Sequence, residues 1–317
     1  MQSFSPTVPD RRPRLLVVEL WGLGDLALAV PFLREAARHA RVTLLAKPHA
    51  APLVRRFCPE VELLPFTAPW TAFRGKYRLH RWPWLEFSAL IGGLRHRRFA
   101  AAVSARPDPR DHALMAAAGA GLRAGFPRAG SAVLLTDPLA VPLRPHRAEH
   151  WAGLAAHFGW TIAAAEKPRP GEARHVVIHT GAAQPTRAWP RERFEEIAGR
   201  LRAGGRTVTL LDGNTGDLPG LLQTLAAADR FIGNDSGPGH LAALLGVPTF
   251  TVFGAQLPEY FHPVHPAAAW IEGAPCAFKP CNDYCRFAEP HCIRSLTVDG
   301  VWGRLQAWLA QPPSTAR

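Results

Sequence analysis

In the run NDSGPGHLAALLGVP, residues 234–248, an acid, a hydroxyl, two glycines, a proline and a histidine stand directly ahead of an apolar, helix-like stretch. Ser236 or Gly237 suits the N-cap of that helix and Pro238 its opening turn, while the glycines let a ligand approach the backbone closely. Free amide donors and the positive helix end then face outward, which is the chemistry of an anion site. His240 falls in the first turn, where its imidazole could donate to a phosphate oxygen; the plainer alternative is a surface histidine at an ordinary helix start. Arg187, in the run GAAQPTRA (181–188), has the same two readings: a bidentate clamp on a diphosphate, or one more exposed arginine.

A third loop, WGLGD (21–25), follows the apolar run RLLVVEL. With Gly22 and Gly24, GLGDLA (22–27) matches the Gly-x-Gly-x-x-Ala form of a dinucleotide fingerprint, which would suggest an oxidoreductase. Two features oppose that. The second strand ends in Lys47 without the acid that binds a ribose hydroxyl, and Asp25 sits where its carboxylate would repel a pyrophosphate. An NADP-dependent oxidoreductase using Lys47 stands as the alternative. If the anion belongs instead to the 234–240 loop, Asp25 faces it from the other half of the chain and could take a proton from an acceptor hydroxyl as general base. Asp25 also suits a helix N-cap.

The elements that must position these loops read as two α/β units. RLLVVEL, a helix from about Leu26 to His39 and the strand RVTLLAK form a βαβ unit, and AAVSAR and DHALMAAAGA continue it as strand and helix. A second pattern starts at HVVIHT and runs through the helix WPRERFEEIAGRLRAGG, TVTLLDG, LPGLLQTLAAA, RFIGND and PTFTVFG to a closing helix, VDGVWGRLQAWLA. In an open parallel sheet, ligands bind beyond the carboxyl ends of the strands, where all three loops fall.

The 317 residues carry a formal net charge of +12, which invites a polyanion: nucleic acid, an anionic membrane surface or a phosphorylated substrate. Codon bias competes as an explanation, because only Lys47, Lys76, Lys167 and Lys279 among the 37 basic residues are lysine. The stretch from Phe66 to Arg106 is basic and aromatic, and Glu86 is its only acid before Arg98. The opening MQSFSPTVPDRRPR lacks a signal-like apolar core and no run matches a membrane span, so a cytoplasmic location is expected. Cys276, Cys281, Cys285 and Cys292 crowd one segment in a spacing that fits no standard zinc pattern; a metal there and a thiol-lined loop both remain open, and no metal is assigned.

Together GLGDLALAVPFL, HRAEHWAGLAAHFGW, HTGAAQPTRAWPRERF and NDSGPGHLAALLGVPTFTVFG resemble glycosyltransferase family nine, the lipopolysaccharide heptosyltransferases, from about Arg14 to about Leu305. The resemblance implies an α/β fold of GT-B type, two Rossmann-like domains facing across a cleft, with the C-terminal helix returning to the first. It divides the chain into a tail (1–13), an acceptor-binding domain (14–168), a nucleotide-sugar-binding domain (169–296) holding the Cys-rich segment 276–292, and a closing helix and tail (297–317). It implies metal-independent, inverting transfer of heptose or a related sugar from an ADP-sugar to a lipopolysaccharide-core or other glycan acceptor. No cofactor is required on this reading. Asp25 falls on the catalytic position, beside Gly22 and Gly24 on the acceptor side, and Thr180, Gly181, Asp235, Ser236, Gly237 and His240 fall on donor-binding positions, with Arg187 where lysine is usual. The partners implied are the nucleotide-sugar and an anionic glycolipid at the inner membrane face, to which the protein would be peripheral, with no nucleic acid expected. The short stretch between TVTLL and NDSG departs from the family pattern. A non-catalytic nucleotide-sugar or polyanion-binding module is the further alternative.

Overall fold

A computed structural model describes residues 11–72, 78–142, 146–163, 174–213, 217–281 and 284–310. The expected boundary at 168/169, Lys76 and Lys167 lie outside the described residues.

The first half is a six-stranded, wholly parallel sheet. Its strands are β1 (Arg14–Glu19), β2 (Arg41–Ala46), β3 (Glu62–Pro65), β4 (Ala101–Ser104), β5 (Leu122–Gly125) and β6 (Asp137–Pro138), in the order β3-β2-β1-β4-β5-β6. Its helices are α1 (Leu23–His39), α2 (Ala51–Phe57), α3 (Trp84–His96), α4 (Pro109–Ala117) and α5 (Arg147–His157). The second half has β7 (His175–His179), β8 (Thr207–Leu211), β9 (Arg230–Asn234), β10 (Thr249–Phe253) and β11 (Ala269–Glu272), parallel in the order β11-β10-β9-β7-β8. Around them lie α6 (Arg191–Ala203), α7 (Leu218–Ala226), α8 (Gly237–Leu244), α9 (Pro258–Phe261), α10 (His291–Arg294) and α11 (Val298–Leu309). The central strands β1, β9 and β10 are buried along nearly their whole length because helices cover both faces, although β9 and β10 also bury Arg230, Asn234, Thr249 and Thr251.

Both sheets reverse their strand order once. In the first, the reversal lies between β1 and β4; in the second, between β7 and β9. Loops diverge at such a point and leave a crevice beyond the strand ends. The loops at Trp21–Asp25, Thr180–Ala188 and Asn234–His240 all issue there, as does the loop after β4 at Arg106.

The two halves share a core. Buried side chains of α1 such as Leu26, Val30 and Leu33 belong to one apolar cluster with Leu221 and Leu225 of α7 and Leu241 of α8. Burial on both sides explains why α1 hides ten of its 17 residues. At the other end, α11 is sited differently from the expectation that it returns to the first domain. Val301, Leu305 and Trp308 pack with Val176, Phe194, Ile197 and Phe250 of the second half, and the Trp308 indole donates to the Ala267 carbonyl at 2.8 Å. Its apolar stripe is satisfied by α6 and the adjoining sheet, leaving no uncovered face for the first half.

Candidate active site

Asp25 lies within α1, not ahead of it. Gly22 is the N-cap, and Asp25, three residues on, accepts the Gly22 backbone N–H through Oδ2 at 3.2 Å. This one-sided cap, with Asp25 reaching back to a glycine that has no side chain to return the bond, begins the helix three residues before the expected Leu26 and aims the carboxylate back over the helix end. The other oxygen, Oδ1, receives Arg106 Nη1 at 3.1 Å. The Arg106 guanidinium lies 3.9 Å from the Trp21 ring centroid. The Trp21 indole in turn donates to Asp111 Oδ2 at 3.3 Å, and Trp70 donates to Asp111 Oδ1 at 3.3 Å. Asp111 is fully buried, and burial foremost, then Asp108, pushes its carboxyl up to about 7. A buried acid thus holds an indole, the indole stacks on a guanidinium, and the guanidinium orients Asp25.

A small cavity beside Asp25 is lined by Glu19, Arg106, Arg147 and Trp151. Burial, and then the negative charge of Asp25, pushes the Glu19 carboxyl up to about 8 from an ordinary 4.5. Glu19 is therefore largely neutral at pH 7 and leaves the charge in this corner to Asp25. The sign of its effect on stability follows: a folded value above the unfolded one favours folding below about 4.5, and that contribution is lost as the pH rises through about 8. Glu19→Gln, similar in shape but unable to ionise, should therefore be more stable than the wild type by about 2 kcal/mol near pH 9 and nearly equal near pH 5. Urea melts at the two pH values measure this; parallel stability curves would show that Glu19 is not held neutral by the fold.

The second half meets this corner with the N-terminal turn of α8. Gly24 lies so close to His240 that a Cβ on it would come within 2.8 Å of His240 Cδ2, and one on Gly237 would be 3.1 Å from Leu23 Cβ. Only glycine permits this approach of α1 to α8. The positive ends of two helices therefore converge on the space beside Asp25. His240 is buried rather than a surface residue, and burial above all presses its imidazole down to about 4, so it is neutral at pH 7. Its buried Nδ1 has no partner among the described residues.

Asp235 is also buried, and burial, opposed by Arg187 and reinforced by Asp25, raises its carboxyl to about 6. Arg187 Nη1 stands 3.4 Å from Asp235 Oδ2, and the Arg187 side chain remains 28% exposed. Asn234 stitches the loops after β7 and β9 together: its Oδ1 accepts the Trp189 N–H and its Nδ2 donates to the Thr180 carbonyl, each at 2.9 Å. Ser236 occupies the α8 N-cap position, but its hydroxyl donates to the Asn234 carbonyl instead of accepting from the helix. The first-turn amides of α8 consequently have no side-chain cap, as an anion site requires.

The residues singled out for donor and acceptor roles lie at the two sheet reversals, Gly22, Thr180, Gly181, Arg187, Asp235 and Ser236 between strand and helix and Gly24, Asp25, Gly237 and His240 in the first turns of α1 and α8. The sequence reading missed Glu19, Trp21, Arg106, Asp111, Arg147 and Asn234. Arg106 carried a signal, since it closes the apolar strand run AAVSAR as Asp25 closes RLLVVELWGLGD. The cysteines stand apart. Cys276, Cys281 and Cys285 are partly exposed and Cys292 is buried, all as free thiols, and among the described residues no three of His, Cys, Asp and Glu converge as a metal site.

Two parallel sheets, each reversed at its centre and joined so that their loop ends oppose one another, define a GT-B protein with two Rossmann-like domains. Comparisons with known proteins specify it further. The model of glycosyltransferase family 9 (heptosyltransferase) matches residues 214–286. Lipopolysaccharide heptosyltransferase 1 of Pseudomonas aeruginosa is 27% identical over 179 residues, 45% of this chain and 50% of that protein, so the chain spans about half the length of the curated relative it matches. Among solved structures, the E. coli heptosyltransferase WaaC with ADP superposes with a TM-score of 0.70 at 17% identity, covering 93% of this chain and 99% of that one. E. coli ADP-heptose lipopolysaccharide heptosyltransferase II gives 0.65 at 19% identity, over 93% and 98%. The chain thus resembles glycosyltransferase family 9 in residues 214–286 and shares the GT-B fold of the solved heptosyltransferases.

Proposed function

We propose that this protein transfers heptose or a related sugar from an ADP-sugar to a lipopolysaccharide-core or other glycan acceptor, with inversion and without a metal in the chemical step. The observation that carries the reading is the direct apposition of the Asp25 turn on the Ser236–His240 turn. A diphosphate held at the α8 amides places its sugar against the first half, where Asp25 is the carboxylate on the facing helix end. Asp25 accepts the proton of an acceptor hydroxyl; that oxygen bonds to the anomeric carbon as the bond from this carbon to the diphosphate oxygen breaks. The departing charge is met by Arg187, by the neutral His240 acting as a hydrogen-bond donor, and by the α8 amides, with Thr180, Gly181 and Asp235 framing the nucleotide side. These groups are fixed before the reaction, so their stabilisation costs little reorganisation. On the acceptor side, Arg106 and Arg147 border the base and suit an anionic glycolipid, which sets the working location at the inner membrane face. The two named heptosyltransferases and the WaaC complex with ADP support the choice of donor.

Thermal-shift titration against ADP, UDP, GDP and NADP tests the donor class. ADP at about 100 times its Kd should stabilise the protein by about 2.7 kcal/mol, a shift of a few degrees, with smaller shifts for the others. A selective response to NADP would overturn the class, and a preference for UDP or GDP would replace the donor.

A further inference from the structure

We infer that the face formed by the 3₁₀ turn Leu79–Arg81 and α3 is a docking surface for an anionic lipid bilayer. Helix α3 is built from apolar residues, WLEFSALIGGLRH, yet only Leu94 of its 13 residues is buried. Leu79 is 56% exposed, Trp84 51% and Leu85 86%, which puts three large apolar side chains side by side in water. The Trp84 indole donates to the Leu79 carbonyl at 2.9 Å, so turn and helix form one surface. A patch of this kind on a folded domain marks an interaction site.

Its chemistry selects the occupant. Arg78, His80 and Arg81 are exposed on the same turn, Arg95, His96 and Arg98 are exposed at the far end of the helix, and Glu86 is the only acid in α3. Projecting leucine and tryptophan ringed by arginine match a bilayer interface, where indoles settle at headgroup depth and guanidinium groups meet anionic lipid. The surface is also fastened to the catalytic corner. Trp84 contacts Trp82 at 5.4 Å between ring centroids, Trp82 contacts the buried Trp70 at 5.6 Å, and Trp70 shares Asp111 with Trp21 of the Asp25 loop. A lipid-borne acceptor taken up along this face is thereby delivered to the half of the molecule that carries Asp25. The inference deepens the proposed function by naming where the acceptor's membrane is met, and it rests on that reading for its purpose only.

Vesicle co-sedimentation of the full chain tests it, using phosphatidylcholine alone and phosphatidylcholine with about one third phosphatidylglycerol, at about 0.1 M salt. The wild type should bind the anionic vesicles at least about tenfold more tightly than the neutral ones. The double substitution Arg78→Glu and Arg81→Glu should abolish that preference, and Trp84→Glu with Leu85→Glu should weaken binding about tenfold or more to both. ADP binding and transfer to a soluble acceptor should be unchanged in both variants. Wild-type protein that ignores vesicles, or variants that bind like the wild type, would overturn the inference. So would concentration-dependent self-association that only the Trp84/Leu85 variant loses, because a second copy would then cover the face. Loss of ADP binding or of transfer in the wild type, with vesicle binding intact, would refute the enzymatic reading and leave the surface standing.

Discussion

Replacing Asp25 with asparagine is expected to lower kcat for sugar transfer by about 10²–10⁴-fold while leaving the Kd for the ADP-sugar within about threefold of the wild type. The asparagine amide oxygen can still accept the Gly22 N–H that begins α1, so the helix start and its contact with His240 persist. What disappears is the basic carboxylate and its ion pair with Arg106. On the proposed reading, donor binding rests on the other half of the molecule, on Arg187, the α8 amides and His240, none of which is altered. Single-turnover transfer assays with calorimetric measurement of donor affinity separate the two effects. Turnover that persists at the wild-type rate would remove Asp25 as the base. A wild type that binds the donor but transfers nothing to any acceptor would instead indicate a binding module.

Arg187→Ala should act twice. It removes a cation from the diphosphate, for an expected loss of about 10²–10³-fold in kcat/KM, and it strips the buried Asp235 of its positive neighbour, for a loss of about 1–3 kcal/mol in stability. The two losses separate in a double mutant. Arg187→Ala with Asp235→Asn should recover most of the stability, because an amide needs no counter-charge, yet remain as weak a catalyst as the single variant. Arg187→Lys should recover part of the activity, since the charge returns without the planar fork. Kinetics and urea melts on the four proteins measure both quantities. An Arg187→Ala enzyme with normal kcat/KM would place the diphosphate elsewhere, whatever its stability.

Charge inside the candidate site is arranged so that few groups compete with Asp25. Burial holds Glu19 largely neutral and His240 uncharged at pH 7, whereas Asp235, raised only to about 6, keeps its negative charge beside Arg187. The permanent cation Arg106 pairs with Asp25 in the first half, and Arg187 pairs with Asp235 in the second. Desolvation therefore sets the protonation states, and the helix ends supply much of the fixed positive potential.

The amino-acid sequence by itself determined the long apolar strands, about half of the helices and the loops at their carboxyl ends, because these follow from contacts between near neighbours, while the short strands β3, β5, β6 and β11 carried no such signal. RLLVVE can only be a strand buried on both faces, and SGPG followed by an apolar run opens a helix whatever surrounds it. Resemblance to a family extended that reading to the donor and acceptor loops. The tertiary structure alone decided which distant groups govern Asp25. Arg106 is 81 positions away, and Asp111 is 90 positions from Trp21, distances over which no periodicity or cap signal carries. It also decided that α11 closes the second half, that Asp25 caps α1 from within, and that α3 shows its apolar residues to solvent. Each of these depends on which surfaces are already covered, and burial belongs to the whole packed chain, not to any segment of it.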